Sequence, residues 1–120
     1  QSSKLSGSII ISTPQDVALI DARKGFNMFK KVNVPVLGIV ENMSYFICDS
    51  CNKRHEIFSY GGAKKEAEKL ETIFLGELPI DKNIRIQSDK GEPICIANPN
   101  CDIAKIYLSI ATKVQEKLNN

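Results

Sequence analysis

Residues 8–40, SIIISTPQDVALIDARKGFNMFKKVNVPVLGIV, decide the fold class of this chain. Two short apolar runs, residues 8–12 and 36–40, predict β-strands, and the first is expected to be buried on both faces. Between them, apolar residues recur at helical spacing as far as about Lys31. A strand, a helix and a strand of these lengths predict a parallel βαβ unit with a right-handed crossover.

The predicted helix begins at Thr13-Pro14-Gln15-Asp16, which has the form of a capping box with proline at the first helical position. Further elements follow along the chain. We predict a short helix after Gly61-Gly62, with Ala63, Ala67 and Leu70 on one face, and then a third strand over 72–78 closed by Pro79. Residues 81–98 are predicted to be turn-rich, with one helical turn near 83–88. A last helix is predicted to follow, capped by Asn100 or Asp102.

Three apolar parallel strands make only a narrow sheet, whereas parallel sheets are normally wider and covered on both faces. We therefore expect an open edge beside the strand at Ile9–Ile11. An uncovered apolar edge favours a missing N-terminal half or pairing with another chain. Residues 1–7, QSSKLSG, are interpreted as a linker or as a cut inside a longer protein.

Composition narrows the class of protein. The 120 residues, 42% hydrophobic and 25% charged, predict one globular domain over 1–120. The net charge of +2 is too small to favour nucleic acid or an anionic membrane as a partner. No secretory signal pattern and no 18-residue apolar run occur, so we expect a reducing compartment, the cytoplasm or an organelle interior.

Cys48 and Cys51 are the chemical centre of the chain. Two intervening residues allow both thiolates to reach one soft metal ion, or to close a small disulfide. A thioredoxin-type pair would open a helix, whose N-terminus lowers one thiol pKa. Here the following residues are polar and lack a helical apolar period, so the pattern predicts a knuckle-like turn, and residues 41–60 are interpreted as a metal-binding knuckle.

A metal site of this kind needs four ligands, and the chain offers two at the right spacing. His55 follows four residues after Cys51 as a third candidate, although a lone histidine beside charged residues is more often solvated. Because each chain supplies two of the four thiolates, the pattern favours a site shared by two chains related by a two-fold axis. Such a site would hold zinc or an iron–sulfur cluster. The alternative is a pair of unligated thiols. Cys95 and Cys101 are interpreted as small packing residues.

Four segments carry a resemblance to a known family. Residues 12–25, 34–51, 57–70 and 74–85 read STPQDVALIDARKG, VPVLGIVENMSYFICDSC, IFSYGGAKKEAEKL and FLGELPIDKNIR. Together they resemble the C-terminal half of the Mrp family of iron–sulfur cluster carriers, which is related to the ParA and MinD branch of the P-loop NTPases. The resemblance extends from about Gly7 onward, and ENMS followed by CxxC and IF..GGA is its most specific part.

The resemblance implies an α/β fold, a partial doubly wound parallel sheet with the CxxC knuckle as an insertion. It also implies ATP binding and slow ATP hydrolysis in the full-length protein, a homodimer, and a labile [4Fe-4S] cluster held between the CxxC pairs of two subunits for delivery to apo iron–sulfur proteins. Cys48 and Cys51 would be the cluster ligands. Asn42 matches the position that reads the adenine edge, and Pro79 and Asp81 match the loop beside the base.

The chain departs from the family pattern to a large extent. These residues contain no G-x-x-x-x-G-K-[ST] phosphate loop, and no acidic residue that ends a strand stands out as a magnesium anchor. We therefore assign no catalytic residue and do not expect this chain alone to hydrolyse ATP. Without the resemblance, Asn42 would be read as a strand-end cap and Pro79 as a turn former.

Two functions of other classes stay open. In the first, Cys48 and Cys51 of two chains clamp one Zn²⁺ ion in a structural or interaction module, which predicts a colourless dimer. In the second, the pair is a thiol–disulfide redox centre in a monomer with one low-pKa thiol, and the polar segment after Cys51 argues against it.

Overall fold

The computed structural model describes residues 5–48, 50–58 and 61–119, so residues 1–4 of the predicted linker lie outside the described part of the chain. Its elements, in chain order, are β1 (Ser8–Ser12), α1 (Asp16–Lys31), β2 (Val36–Glu41), β3 (Phe46–Ile47), β4 (Arg54–His55), α2 (Gly62–Lys69), β5 (Phe74–Glu77), α3 (Lys82–Asp89), α4 (Ile94–Ala97) and α5 (Asp102–Leu118). No helix among these residues is long and apolar enough to cross a membrane.

Strands β1, β2 and β5 form a parallel sheet in the order β1-β2-β5. Ile10 pairs with Ile39 across the first two strands, and Glu41 pairs with Glu77 across the second two. The predicted βαβ arrangement of β1, α1 and β2 is therefore confirmed. Within the described sheet β1 is an edge strand, as the narrow set of apolar runs predicts.

Helices cover both faces of the sheet. Ile10 and Ile39 belong to a core cluster with Ala22 of α1 and Ala63 and Ala67 of α2. On the opposite face, Val40, Leu75 and Leu78 pack against α5 through the partly buried side chains of Ile106, Tyr107, Ile110 and Val114. Adjacent residues of β2 thus enter different cores because side chains alternate along a strand. The expected doubly wound α/β class is confirmed.

The first strand is buried on one face only, so the expectation of burial on both faces is wrong. Ile10 is 7% exposed, but Ile11 is 66% exposed. The physical reason is the position of α5, which packs over β5 and β2 and leaves the outer part of this face uncovered at β1.

Helix ends also differ from the sequence predictions. α1 begins at Asp16 rather than Pro14, and its N-cap Gln15 makes no side-chain capping bond, because Thr13 Oγ1 instead hydrogen-bonds Gln15 Oε1 at 3.2 Å. Residues 81–98 contain two helices rather than one turn. The cap of α5 is Cys101, whose Sγ accepts a hydrogen bond from the Ala104 N–H at 3.4 Å.

Candidate metal centre

A small hairpin carries the cysteine pair. The chain leaves β2 at Glu41 and enters the antiparallel strands β3 and β4, which flank the loop that holds Cys48 and Cys51. The paired residues are Phe46 with His55 and Ile47 with Arg54. The predicted knuckle-like turn is therefore the loop of a two-stranded hairpin, inserted between β2 and α2.

Backbone hydrogen bonds fix the shape of this loop. The Cys48 N–H donates to the Lys53 carbonyl at 3.0 Å, and the Asn52 N–H donates to the Cys48 carbonyl at 2.8 Å. Asn52 has a φ of 56°, in the left-handed region that asparagine tolerates better than most residues. The loop consequently folds back on Cys48 and keeps Cys51 near it.

Three metal-ligating side chains converge on the hairpin. One ligand atom from each of Cys48, Cys51 and His55 lies within 4.8 Å of the other two. Cys51 and His55 are exposed and Cys48 is half-buried, so the group is accessible from solvent. Two sulfurs and one imidazole nitrogen form a donor set that suits zinc and iron–sulfur chemistry. From the sequence, His55 is only a third ligand candidate, because such a residue is more often solvated. The register of the hairpin brings it close to the two cysteines.

An arginine on β4 joins the hairpin to the main sheet. Arg54 Nη2 lies 2.8 Å from Glu77 Oε1 at the end of β5, and Arg54 Nε lies 3.1 Å from Glu56 Oε1. The same guanidinium lies 4.0 Å from the centroid of the Tyr45 ring, within cation–π range. Partial burial raises the pKa of Tyr45 above its usual value, which keeps the ring neutral. These contacts fix the hairpin at the carboxyl edge of the sheet.

Polar side chains connect the Arg54–Glu77 ion pair to the buried interior. Glu41, which has no exposed surface, accepts a hydrogen bond from the Ala63 N–H at 2.9 Å and one from the Ser44 hydroxyl at 2.6 Å. Ser44 Oγ is also 3.0 Å from Glu77 Oε2. A continuous polar path therefore runs from the first turn of α2 through Glu41, Ser44 and Glu77 to Arg54.

Sequence reasoning did not find this polar path. The one local signal is a glutamate that ends an otherwise apolar strand. Ala63, which bonds Glu41 directly, and Glu77, which joins the path through Ser44, lie 22 and 36 residues from Glu41 in sequence. Both oxygens of Glu41 are engaged by Ser44 and Ala63.

Beyond the ends of β2 and β5, the two chain segments continue side by side and stay joined by backbone hydrogen bonds. The Leu78 N–H donates to the Glu41 carbonyl, the Ser44 N–H to the Leu78 carbonyl, and the Ile80 N–H to the Tyr45 carbonyl, at 2.7 to 2.9 Å. This ladder leads directly into the hairpin. It therefore places the metal-ligating group beside the loop over residues 78–81.

The three residues assigned to a nucleotide pocket lie at this carboxyl edge. Asn42 is exposed, and its Oδ1 accepts a hydrogen bond from the Met43 N–H at 2.9 Å. Pro79 is buried, whereas Asp81 caps α3 by accepting a hydrogen bond from the Asn83 N–H at 2.7 Å. Asn42 and Pro79 follow β2 and β5 closely, so the fold brings them to one edge, while the Asp81 carboxylate is already engaged. Their role in nucleotide binding stays a prediction.

The other two cysteines lie outside the hairpin. Cys101 caps α5, and Cys95 lies in α4. Cys95 is exposed, so its interpretation as a packing residue is wrong. The reason is that α4 buries no side chain fully.

Comparisons with known proteins concern the family and the fold of this chain. The model of the ParA family, described as a NUBPL iron-transfer P-loop NTPase, matches residues 1–115. The iron-sulfur cluster transfer protein NUBPL of Mus musculus is 48% identical over 120 residues, which are 100% of this chain and 38% of that protein. This chain spans about a third of the length of the curated relatives it matches.

Two solved structures share the fold. A nucleotide-binding protein from Archaeoglobus fulgidus, in complex with ADP and with Co found by PIXE, has a TM-score of 0.66 and 36% identity over 81% of this chain and 39% of its own. The cell division ATPase MinD of Pyrococcus furiosus has a TM-score of 0.70 and 20% identity over 92% of this chain and 43% of its own. The family resemblance and the P-loop NTPase fold class inferred from the sequence are confirmed.

Proposed function

Because this chain belongs to the ParA family of NUBPL-type iron-transfer P-loop NTPases, we propose that it forms the cluster-holding part of an iron–sulfur cluster carrier. The cluster is the cargo, and apo iron–sulfur proteins are the recipients. The mouse relative is named an iron-sulfur cluster transfer protein, which supports the same role here.

The observation that carries this proposal is the exposed cysteine pair on an anchored hairpin. Cys51 is exposed and Cys48 is half-buried, so a second chain or a recipient can approach the pair from solvent. Two thiolates from each of two chains would complete the four-sulfur ligand set of a [4Fe-4S] cluster in a homodimer. A cluster held in this way can leave by ligand exchange, because no single chain encloses it.

Nucleotide binding belongs to the same proposal. Among the described residues, Asn42 is accessible at the carboxyl edge, where parallel α/β sheets bind nucleotides. Its Oδ1 bonds the Met43 N–H, which leaves the amide NH₂ to donate to an adenine edge. Pro79 would form part of the wall, and Asp81 would support that wall by capping α3. ATP hydrolysis would need a phosphate loop, and residues 1–120 contain no G-x-x-x-x-G-K-[ST] pattern.

The compartment is part of the proposal as well. A carrier with exposed thiols requires a reducing environment, because oxidation to a disulfide would remove the ligands. We therefore place the protein in the cytoplasm or an organelle interior. The recipients are defined by chemistry: proteins with vacant thiolate ligands that can displace Cys48 and Cys51.

A zinc-linked structural module is the second candidate. The observation that favours it is the convergence of Cys48, Cys51 and His55, since two thiolates and an imidazole also suit Zn²⁺. A zinc module would be colourless and would hold its metal rather than transfer it. A thiol–disulfide redox centre has less support, since the cysteine pair lies in a hairpin loop and not at the start of a helix.

Metal analysis tests the proposal. The complete protein that contains these residues would be purified without oxygen and reconstituted with iron and sulfide, and its iron, sulfide and zinc contents and visible spectrum measured. We expect equal iron and sulfide and a broad brown absorption in the wild type and in Cys95→Ser, an exposed cysteine outside the hairpin. The Cys48→Ser/Cys51→Ser variant should lose the iron and sulfide as well as the brown absorption, while its helical circular dichroism stays unchanged.

Two results would contradict the carrier function. Full iron content in the double variant would show that other residues bind the cluster. Stoichiometric zinc that iron and sulfide cannot replace would favour the structural module.

A further inference from the structure

We infer that Cys48, Cys51 and His55 form a three-donor site with which one chain alone binds a single divalent transition-metal ion of the Fe²⁺ and Zn²⁺ class. The inference goes beyond the proposed cluster function, since it concerns a mononuclear state that needs neither sulfide nor a second chain. Its distinctive element is His55, the only histidine in the sequence.

The distances are close to those of a formed site. The three ligand atoms lie within 4.8 Å of one another. Around a tetrahedral Zn²⁺ with bonds of about 2.3 Å to sulfur and about 2.0 Å to nitrogen, ligand atoms are roughly 3.5 to 3.8 Å apart. The donors therefore need to approach one another by at most about 1 Å. Since Cys51 and His55 are exposed, small changes in their side-chain torsions can supply that movement.

The hairpin register explains why His55 belongs to the group. His55 pairs with Phe46, two residues before Cys48, and adjacent residues of a strand place their side chains on opposite faces. Arg54 is held toward the main sheet by Glu77 and Tyr45. His55 is consequently directed to the other face of the hairpin. The contacts of Arg54 with Glu77 and Tyr45, here called the Arg54 clamp, thus also fix the direction of the His55 side chain.

The donor set also predicts what the site does. Three protein ligands around a tetrahedral ion leave one position open, as in zinc sites that exchange a water or a substrate. A ligand from a partner molecule can enter that position without prior loss of Cys48, Cys51 or His55. A single chain would therefore accept and release an ion stepwise, which a closed four-ligand site resists. Binding releases the protons of the two thiols.

Cobalt(II) is the probe for this site, since its d–d absorption reports tetrahedral geometry and its charge-transfer band reports thiolate ligands. The complete, metal-free and nucleotide-free protein would be titrated with Co²⁺ without sulfide, and its mass measured by light scattering. We expect one Co²⁺ per chain in a monomer. His55→Ala should bind Co²⁺ about 100-fold more weakly, because even outer-shell partners of metal ligands contribute about 10- to 100-fold.

Two further variants separate ligation from local structure. Lys53→Ala removes an exposed side chain of the same loop and should bind Co²⁺ like the wild type. His55→Cys replaces the nitrogen donor by a third thiolate, so binding should return with a charge-transfer band increased in the ratio of about 3 to 2. The Cys48→Ser/Cys51→Ser variant should lose the band.

Two outcomes would overturn the inference. One is equal Co²⁺ affinity and an equal spectrum for His55→Ala and wild type. The other is half a Co²⁺ per chain in a dimer, with the charge-transfer intensity of four thiolates. Neither result bears on cluster binding, which the iron and sulfide analysis tests separately.

Discussion

Arg54 of the cysteine hairpin forms an ion pair with Glu77 at the end of the central sheet, with Nη2 and Oε1 2.8 Å apart. Glu77 in turn lies 3.0 Å from Ser44, which hydrogen-bonds the buried Glu41. The exposed loop that carries the candidate metal ligands is thereby connected to the buried interior of the fold. We interpret this connection as the device that holds an otherwise marginal two-stranded hairpin in place.

The clamp predicts the mobility of the hairpin. Arg54→Met removes the ion pair with Glu77 and the contact over Tyr45, together worth about 1 kcal/mol at this exposure. Amide hydrogen exchange at Cys48, whose N–H bonds the Lys53 carbonyl, should therefore become about fivefold faster. Arg85→Met is the control, because within the described part of the chain Arg85 forms an exposed helical pair with Asp89 at 3.7 Å, away from the hairpin. Equal exchange in both variants would contradict the clamp.

Glu41 should contribute strongly to stability. Glu41→Ala leaves the Ala63 N–H without its acceptor and opens a cavity, so we expect a loss of about 2–4 kcal/mol in the free energy of unfolding by urea. Glu41→Gln should cost less than about 1.5 kcal/mol, because its oxygen can accept from Ala63 while its NH₂ donates to Ser44. Comparable losses for the two variants would show that charge, rather than hydrogen bonding, is what matters here.

Two glycines should respond oppositely to alanine. A Cβ at Gly38 would lie 2.5 Å from Leu75 Cγ and 2.7 Å from the Ile73 carbonyl oxygen, so Gly38→Ala should cost about 2–3 kcal/mol of stability. At Gly25, within α1, a Cβ would meet nothing within 4 Å. Gly25→Ala should stabilise the protein by about 0.5–1 kcal/mol, because alanine favours helix. Thermal unfolding measures both, and a tolerated Gly38→Ala would refute the close packing of β2 on β5.

The ion pair between α1 and α2 should make stability depend on pH. Arg23 donates two hydrogen bonds to Glu66, at 2.9 and 2.8 Å, and these lower the pKa of Glu66 below its ordinary 4.5. The folded state then binds this proton less tightly than the unfolded state. The stabilisation is therefore fully present above pH 4.5 and is lost as the pH falls through the lowered pKa.

Glu66→Gln tests this dependence. Its melting temperature should lie below that of the wild type at neutral pH, and the difference should shrink at acidic pH. Glu68→Gln, on the exposed face of α2, should show no such difference. A Glu66→Gln deficit that is constant with pH would mean that shape, and not charge, stabilises this contact.

Local patterns in the sequence determined most of the secondary structure. Apolar runs and helical spacing predicted the three parallel strands and the helices α1, α2 and α5, because these signals depend on residues a few positions apart. The prediction was wrong where a cap or a covering element decided the outcome. Thr13 bonds Gln15 instead of capping α1, and Ile11 is exposed because α5 does not cover it.

The sequence by itself predicted the CxxC pair as the candidate metal-binding centre and determined the α/β class, since both follow from residue type and short-range spacing. Only the tertiary structure decided that His55 joins Cys48 and Cys51, and that Arg54 reaches Glu77. These contacts depend on the register of a hairpin and on the pairing of strands more than twenty residues apart. The turn and loop length of the hairpin set its register, and the packing of the hairpin against β5 brings Arg54 to Glu77. Apolar periods within single elements do not encode either contact.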